Sequence, residues 1–168
     1  MIPYIIMILS LLLDGFLTNH LPYLVNNLSL LTPLLTLISI LIIFPFYQKN
    51  HRKYFITVFI LGIIYDLFYT DLIFFNAVLF LIIAWINVKV QRWTTPNALN
   101  LLLQAIGMII LYESFTGIIL YAYNMVPVTI DKVFYKITHS LLLNIVYVEL
   151  LYFIIKIIPK KYKKISIN

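Results

Sequence analysis

The sequence predicts an all-α, polytopic membrane protein built as a six-helix transmembrane bundle, and three observations support that prediction. Of the 168 residues, 63% are hydrophobic and only 11% are charged, which is unlike a soluble domain of this length. The apolar residues fall into six segments, some of them shorter than the roughly 20 helical residues that cross a bilayer core of about 30 Å. The basic residues lie between and after these segments, as they do in multi-pass proteins.

The six segments follow one another without a linker long enough to separate domains. The first carries Asp14 near its end, and the second has Pro33 near its start, where proline costs less than it would in the middle of a helix. Only Thr70 and Asp71 separate the third and fourth segments, so these are predicted to form an antiparallel hairpin. A longer loop, residues 122–136, precedes the last segment. The chain is predicted to be a single transmembrane domain, residues 1–168, with spans at about 2–17, 28–47, 54–69, 72–88, 97–121 and 137–158.

The distribution of charge predicts the orientation. Ten of the twelve Lys and Arg residues fall on one side of a six-span arrangement, and only Lys132 and Lys136 fall on the other. The positive-inside rule then places both termini in the cytoplasm. The first segment has no basic residue before it and no Ala-x-Ala-like site after it, so we expect a retained helix and not a cleaved signal peptide. The net charge of +6 suits anionic lipid headgroups better than nucleic acid.

Four acidic residues lie within or at the edge of the predicted spans: Asp14, Asp66, Glu113 and Glu149. A charged side chain inside a membrane segment costs roughly 2.5 to 3.5 kcal/mol, so protein or water must receive it. Asp14 stands near a helix end, where we expect it to reach the outer interface. Glu149 shares a helix face with Lys156, which is expected to neutralise part of its charge.

The stretch from Val58 to Tyr69 organises the rest of the chain, because it places Asp66 after two apolar turns. Gly62 lies four residues earlier, hence on the same helix face, and a residue without a side chain lets a neighbouring helix approach closely. The pattern predicts a packing surface and not a lipid-facing one. Two interpretations stay open: the acid joins its helix to a neighbour by hydrogen bonds, or it binds a partner helix or a ligand.

A second glycine-plus-acid pair occurs in the fifth segment. Glu113 lies roughly 12 Å from the outer end of its helix at 1.5 Å per residue, too deep to reach water easily, and Gly117 follows one turn later. Asn144, about as deep in the sixth segment, is expected to join helices by hydrogen bonds. The candidate residues for a partner site or pocket are therefore Gly62, Tyr65, Asp66, Glu113, Gly117 and Asn144.

No constellation of residues predicts catalysis, a metal or a cofactor. The chain has no cysteine and three scattered histidines, so neither a disulfide framework nor a metal site is expected. A Gly-rich phosphate loop and a Ser-His-Asp arrangement are both missing from the sequence. The acids are spread over four helices without a repeated motif, which argues against a proton pathway.

One stretch resembles a known family. Residues 59–70 (FILGIIYDLFYT), followed at once by a hydrophobic hairpin partner, resemble the third-helix signature of MreD, the family of bacterial rod shape-determining membrane proteins. Residues 111–113 (LYE) and 141–144 (LLLN) are similar to later marks of that family. Many relatives have glycines after the hairpin turn, whereas this chain has DLIFFN at residues 71–76.

The resemblance implies a non-enzymatic scaffold of the cell-wall elongation machinery, or elongasome, in the bacterial cytoplasmic membrane. It implies a role in cell shape and peptidoglycan synthesis through binding MreC, a single-span membrane protein. RodA, a transpeptidase of the penicillin-binding class and the MreB filament are expected nearby, with membrane lipids around them and no nucleic acid.

The same family is similar in fold to the substrate-binding subunits of energy-coupling-factor transporters. A subunit of a vitamin transporter is therefore the alternative function. Those subunits meet their transport motor through an Ala-x-x-x-Ala surface on the first helix, and residues 1–17 contain no alanine, which counts against this alternative. A membrane enzyme acting on lipid-linked precursors is the third interpretation, for which no nucleophile or metal can be named.

Overall fold

The structure is a computed structural model that describes residues 2–24, 33–70, 72–94, 97–122 and 130–157. All regular structure in these ranges is helical. The elements are α1 (Ile2–Leu24), α2 (Leu35–Ile43), α3 (His51–Tyr69), α4 (Phe75–Trp93), α5 (Ala98–Ala122) and α6 (Ile130–Ile157), with a single 3-10 turn, Phe44–Tyr47, continuing α2. Four of these helices, α1, α4, α5 and α6, are long and apolar enough to cross a membrane. The prediction of an all-helical multi-pass membrane protein is confirmed.

The helices do not end where the predicted spans end. α1 continues to Leu24, beyond the predicted end of the first span at about residue 17, and α6 begins at Ile130, inside the predicted loop 122–136. Helical hydrogen bonding is not confined to apolar sequence, and Asp131 in the first turn of α6 favours a helix start there through the helix dipole. Because a helix can extend beyond the hydrocarbon core, the borders of the membrane spans stay predictions.

α2 is much shorter than the predicted second helix. Residues 28–32 lie outside the described ranges, Pro33 and Leu34 are not helical, and the helix covers only Leu35–Ile43 before the 3-10 turn. Proline lacks the N–H that an α-helix needs and its ring clashes with the preceding turn. Pro33 therefore stands just outside the helix start, and Pro45 ends the α-helical ladder and leaves the carbonyl of Leu41 without its usual partner.

This short helix lies at the centre of the bundle. All nine of its residues are buried, and it packs against α1, α4, α5 and α6. At 1.5 Å per residue α2 is about 14 Å long, less than half of a bilayer core, so both of its ends lie inside the protein. Backbone groups in such a place must be satisfied by other protein groups. Side chains from the surrounding helices must therefore hydrogen-bond to both ends of α2.

The C-terminal end of α2 is bonded by side chains of α3 and α4. The hydroxyl of Tyr54 donates to the carbonyl of Ile40 (3.0 Å), and Nε2 of Gln91 donates to the carbonyl of Leu41 (3.1 Å). Asn87 connects the two, because its Nδ2 donates to the Tyr54 hydroxyl (3.1 Å) and its Oδ1 accepts from Gln91 (3.0 Å). Gln91 thus satisfies the carbonyl that the proline leaves free, Tyr54 bonds the carbonyl before it, and Asn87 holds both side chains in place.

The predicted hairpin of the third and fourth helices is confirmed. α3 and α4 make the most extensive helix pairing in the described structure. Asn87, near the end of α4, bonds Tyr54, near the start of α3, and Asn76, near the start of α4, bonds Asp66, near the end of α3. The two helices are therefore antiparallel along their whole length.

Candidate functional site

Asp66 is fully buried between α3 and α4, and its carboxylate closes the N-terminus of α4. Its Oδ1 accepts hydrogen bonds from the backbone N of Asn76 (3.0 Å), Nδ2 of Asn76 (2.8 Å) and the hydroxyl of Thr70 (2.9 Å), and its Oδ2 accepts from the backbone N of Ala77 (3.1 Å). The N-cap residue of α4 is Phe74, which has a φ of 69° and no side chain that accepts. Asp66 therefore caps the following helix from outside it, where a negative charge is also favoured by the helix dipole.

Gly62 allows α3 and α4 to come into direct backbone contact. A Cβ built on Gly62 would lie 2.4 Å from the Cα of Ala77, closer than atoms approach without clashing. This contact, one turn before Asp66, brings the carboxylate within reach of the amides that it caps. The prediction that the glycine and the acid share a packing face is confirmed, whereas a role of this face in binding a partner stays a prediction.

Aromatic and amide side chains extend the Asp66 network to neighbouring helices. The hydroxyl of Tyr112 donates to Oδ1 of Asn76 (2.8 Å), which joins α5 to the α3–α4 hairpin. Tyr65, a predicted site residue, is half-buried, and its ring packs edge-on against Phe80 of α4, with ring centroids 5.4 Å apart. Tyr65 therefore contributes to helix packing beside the network.

The N-terminus of α2 is capped in a related way, by α1 and α6. Oδ1 and Oδ2 of Asp14 accept from the backbone N atoms of Leu35 (2.7 Å) and Thr36 (2.8 Å), and Oδ1 of Asn144 accepts from the backbone N of Leu34 (2.9 Å). Nδ2 of Asn144 donates to the carbonyl of Ser140 (2.7 Å), which fixes the orientation of the amide. The expectation that Asn144 joins helices is confirmed.

The expectation that Asp14 reaches the outer interface is wrong. Asp14 is 2% exposed and faces α2. The physical reason is the length of α1, which continues to Leu24, so that Asp14 lies well inside the helix and not at its end.

Asp14 and Asp66 have the same structural role, and the sequence pattern does not predict it. In both cases an aspartate on one helix caps the next helix along the chain, Asp14 on α1 for α2 and Asp66 on α3 for α4. In both cases the capped helix has a hydrophobic N-cap residue, Leu34 or Phe74, that makes no side-chain hydrogen bond. A helix start without a local capping residue is the sequence signal that could have indicated these partners.

Glu113 differs from both aspartates. It is 4% exposed on α5, yet no donor in the described part of the chain hydrogen-bonds to its carboxyl group. The charge of Lys136, on α6, acts on it without forming an ion pair. Gly117, one turn along, is also buried. Unlike Asp14 and Asp66, Glu113 is therefore not held by a hydrogen bond from the described residues.

The buried polar side chains in this half of the bundle form what we call the polar layer: Asp14, Asp66, Asn76, Tyr112, Glu113 and Asn144. All of them except Glu113 hydrogen-bond to backbone or side-chain groups outside their own helix, so their chemistry is that of helix association. Glu149 is exposed and lies outside this layer. Among the described residues, no group of three His, Asp or Glu side chains could hold a metal ion.

These features define a class: an all-helical, multi-pass membrane protein whose buried polar side chains join its helices. The family model described as rod shape-determining protein MreD matches residues 1–162, and the chain belongs to that family. Membership implies a role in determining cell shape. A comparison with curated proteins and one with solved structures found no match. The likeness to substrate-binding subunits of energy-coupling-factor transporters stays a prediction.

Proposed function

We propose that this protein is a non-enzymatic scaffold of the cell-wall elongation machinery that binds an MreC-like single-span partner at Glu113 and Gly117. Through that partner it acts with RodA and a penicillin-binding transpeptidase in peptidoglycan synthesis. Membership of the rod shape-determining family supports the part of this proposal that concerns cell shape. The observation that carries the choice of site is Glu113, a buried acid with no hydrogen-bond donor among the described residues.

The physical argument compares the three buried acids. An acid within a membrane protein persists where another group receives it, and Asp14 and Asp66 are received by backbone amides of the same chain. A hydrogen-bond donor or a cationic side chain from a partner helix would stabilise the carboxylate of Glu113 in the same way. Gly117 lies on the same face and lets a second helix approach α5 closely. In this proposal Gly62, Tyr65, Asp66 and Asn144 act indirectly, by holding the helices that carry the site.

The test is co-purification of a tagged MreC-like partner from membranes with Glu113→Leu and Glu113→Gln variants. We expect Glu113→Leu to lower the amount of bound partner about 5- to 30-fold, because one interhelical hydrogen bond to a charged group contributes roughly 1 to 2 kcal/mol. Glu113→Gln, which keeps an acceptor oxygen, is expected to lose less. Glu149→Leu is the matched control, since it removes an exposed acid on α6.

A measurement of stability separates a binding role from a structural one. Glu113 makes no hydrogen bond to the described chain, so Glu113→Leu is expected to resist thermal unfolding in detergent at least as well as the wild type. If Glu113→Leu stays folded and still retains the partner at the wild-type level, the proposed site is wrong. A vitamin-like small molecule retained through purification, with no partner protein, would instead favour the transporter alternative.

We further infer that the protein lies in the bacterial cytoplasmic membrane with both termini in the cytoplasm. The Tyr54–Asn87 hydrogen bond places the start of α3 and the end of α4 at one level of the bundle. Five basic residues lie at this end of the bundle, three at or before the start of α3 and two near the end of α4: Lys49, Arg52, Lys53, Lys89 and Arg92. The positive-inside rule supports a cytoplasmic location for that end.

The absence of cysteine from the sequence makes this orientation simple to test. We expect a membrane-impermeant maleimide added to intact spheroplasts to label the Asp131→Cys variant, which alters an exposed residue at the start of α6. The Gln48→Cys variant, altered at an exposed residue before α3, is expected to be labelled only after the membrane is permeabilised. Labelling in the reverse order would contradict the inferred orientation.

A further inference from the structure

An apolar groove of about 400 Å³ runs between α1 and α3. Its walls are aliphatic over most of their length. The lining residues with polar groups stand toward the end at which both helices begin, where Tyr4 comes from α1 and Lys53 and Thr57 come from α3. The remaining lining residues are Met7, Ile8, Ile56, Ile60, Leu61 and Ile64.

The groove is closed at its other end. The hydroxyl of Tyr69 crosses from α3 and donates to the carbonyl of Leu11 on α1 (2.8 Å). A Cβ on Gly15 would lie 2.4 Å from that same hydroxyl, so α1 and Tyr69 are in close contact there. α1 and α3 are therefore farther apart near their N-termini than at the Tyr69–Leu11 contact, and this contact closes one end of the groove.

The length of the groove matches one leaflet of a membrane. From Lys53 to Ile64 along α3, the rise of 1.5 Å per residue gives about 16 Å. The hydrocarbon core is about 30 Å thick, so one leaflet supplies roughly half of that. A transmembrane helix from a partner would need a groove that continues through the other leaflet, and Tyr69 occupies that path.

The polar end offers groups suited to a phosphate or ester. The ammonium of Lys53 is exposed at this end and the hydroxyl of Tyr4 lies nearby, whereas the hydroxyl of Thr57 donates to the carbonyl of Lys53 (2.8 Å). The hydroxyl of Tyr47, a residue that is 7% exposed, lies beside those of Tyr4 and Thr57.

We propose that the groove between α1 and α3 binds one anionic phospholipid, with an acyl chain along the aliphatic walls and its phosphate at Lys53 and Tyr4. Charge complementarity, the leaflet-sized length and the closed far end all favour a lipid as the occupant. This proposal does not depend on the partner site at Glu113, which lies on α5.

The test is native mass spectrometry of the purified full-length protein released from nanodiscs of phosphatidylglycerol or of phosphatidylcholine. We expect one phosphatidylglycerol to be retained on the wild type under activation that removes phosphatidylcholine. Lys53→Gln is expected to lower phosphatidylglycerol retention about fivefold, the effect of one lysine near an anionic headgroup. Ile60→Trp, which fills the groove from a residue that is 51% exposed, is expected to abolish retention of either lipid.

Two matched controls lie on α4. Lys89→Gln removes a basic residue at the same end of the bundle, where its ammonium stands 3.6 Å from the centre of the Trp85 ring, and Ile82→Trp adds the same bulk as Ile60→Trp at another partly exposed aliphatic residue. Both are expected to retain the lipid as the wild type does. Equal retention of the two lipids by the wild type would overturn the proposal, as would unchanged retention by Lys53→Gln. Should Ile60→Trp fail to fold, the Lys53→Gln comparison decides alone.

Discussion

Replacement of Asp66 by leucine is expected to lower the free energy of unfolding by about 3 to 6 kcal/mol. The carboxylate accepts four hydrogen bonds, two from backbone amides of α4 and two from the side chains of Asn76 and Thr70. Leucine would leave these donors buried and unpaired, and each such group costs roughly 1 to 3 kcal/mol, reduced here by relaxation of the Thr70 hydroxyl. Reversible unfolding in mixed micelles of detergent and SDS measures the difference.

Asp66→Asn gives a graded comparison. Asparagine keeps one acceptor oxygen but places an amide N–H₂ opposite a backbone donor, so about half of the leucine effect is expected. Glu149→Gln is the control, because it changes an exposed acid and is expected to shift stability by less than about 0.5 kcal/mol. If Asp66→Leu unfolds at the same SDS fraction as the wild type, the carboxylate does not hold α4 in place.

Alanine substitutions at Gly62 and Gly107 are expected to change stability in opposite directions. A Cβ at Gly62 would clash with the backbone of Ala77, so α3 and α4 must move apart, and overpacking of this kind costs about 1 to 3 kcal/mol. The same separation lengthens the hydrogen bonds that the amides of α4 donate to Asp66, which adds to the loss. Nothing lies within 4 Å of a Cβ at Gly107, and alanine is the better helix former there by up to about 1 kcal/mol.

The two glycine variants differ by one methyl group each, so the comparison isolates the helix contact. Both are measured by the same SDS unfolding experiment. A Gly62→Ala protein as stable as the wild type would show that α3 and α4 tolerate a wider spacing than the structure has.

Features that depend on nearby residues could be predicted from the sequence. The length of the apolar segments predicts six helices, the two-residue gap at Thr70 predicts the hairpin, and the four-residue spacing of Gly62 and Asp66 places both on one packing face. Each of these follows from helix geometry alone.

Contacts between distant residues could not be predicted in this way. The role of Asp14 depends on where α2 begins, 21 residues later, and that start is set by Pro33 together with caps from α1 and α6. The bond from Tyr112 to Asn76 requires α5 to be packed beside α4, and hydropathy does not contain that information. The depth of Glu113 in its helix can be predicted from the sequence. Whether a described residue donates a hydrogen bond to it depends on how the neighbouring helices pack.

The position of α2 has a consequence for how the protein is made. Seven of its nine residues are apolar, and its ends bond to Asp14, synthesised earlier, and to Tyr54, Gln91 and Asn144, synthesised later. While the ribosome is still producing the last helix, the amide of Leu34 has no acceptor. The centre of the bundle is therefore completed only after translation reaches the sixth helix, because a chain that ends before Asn144 lacks this acceptor for the amide of Leu34.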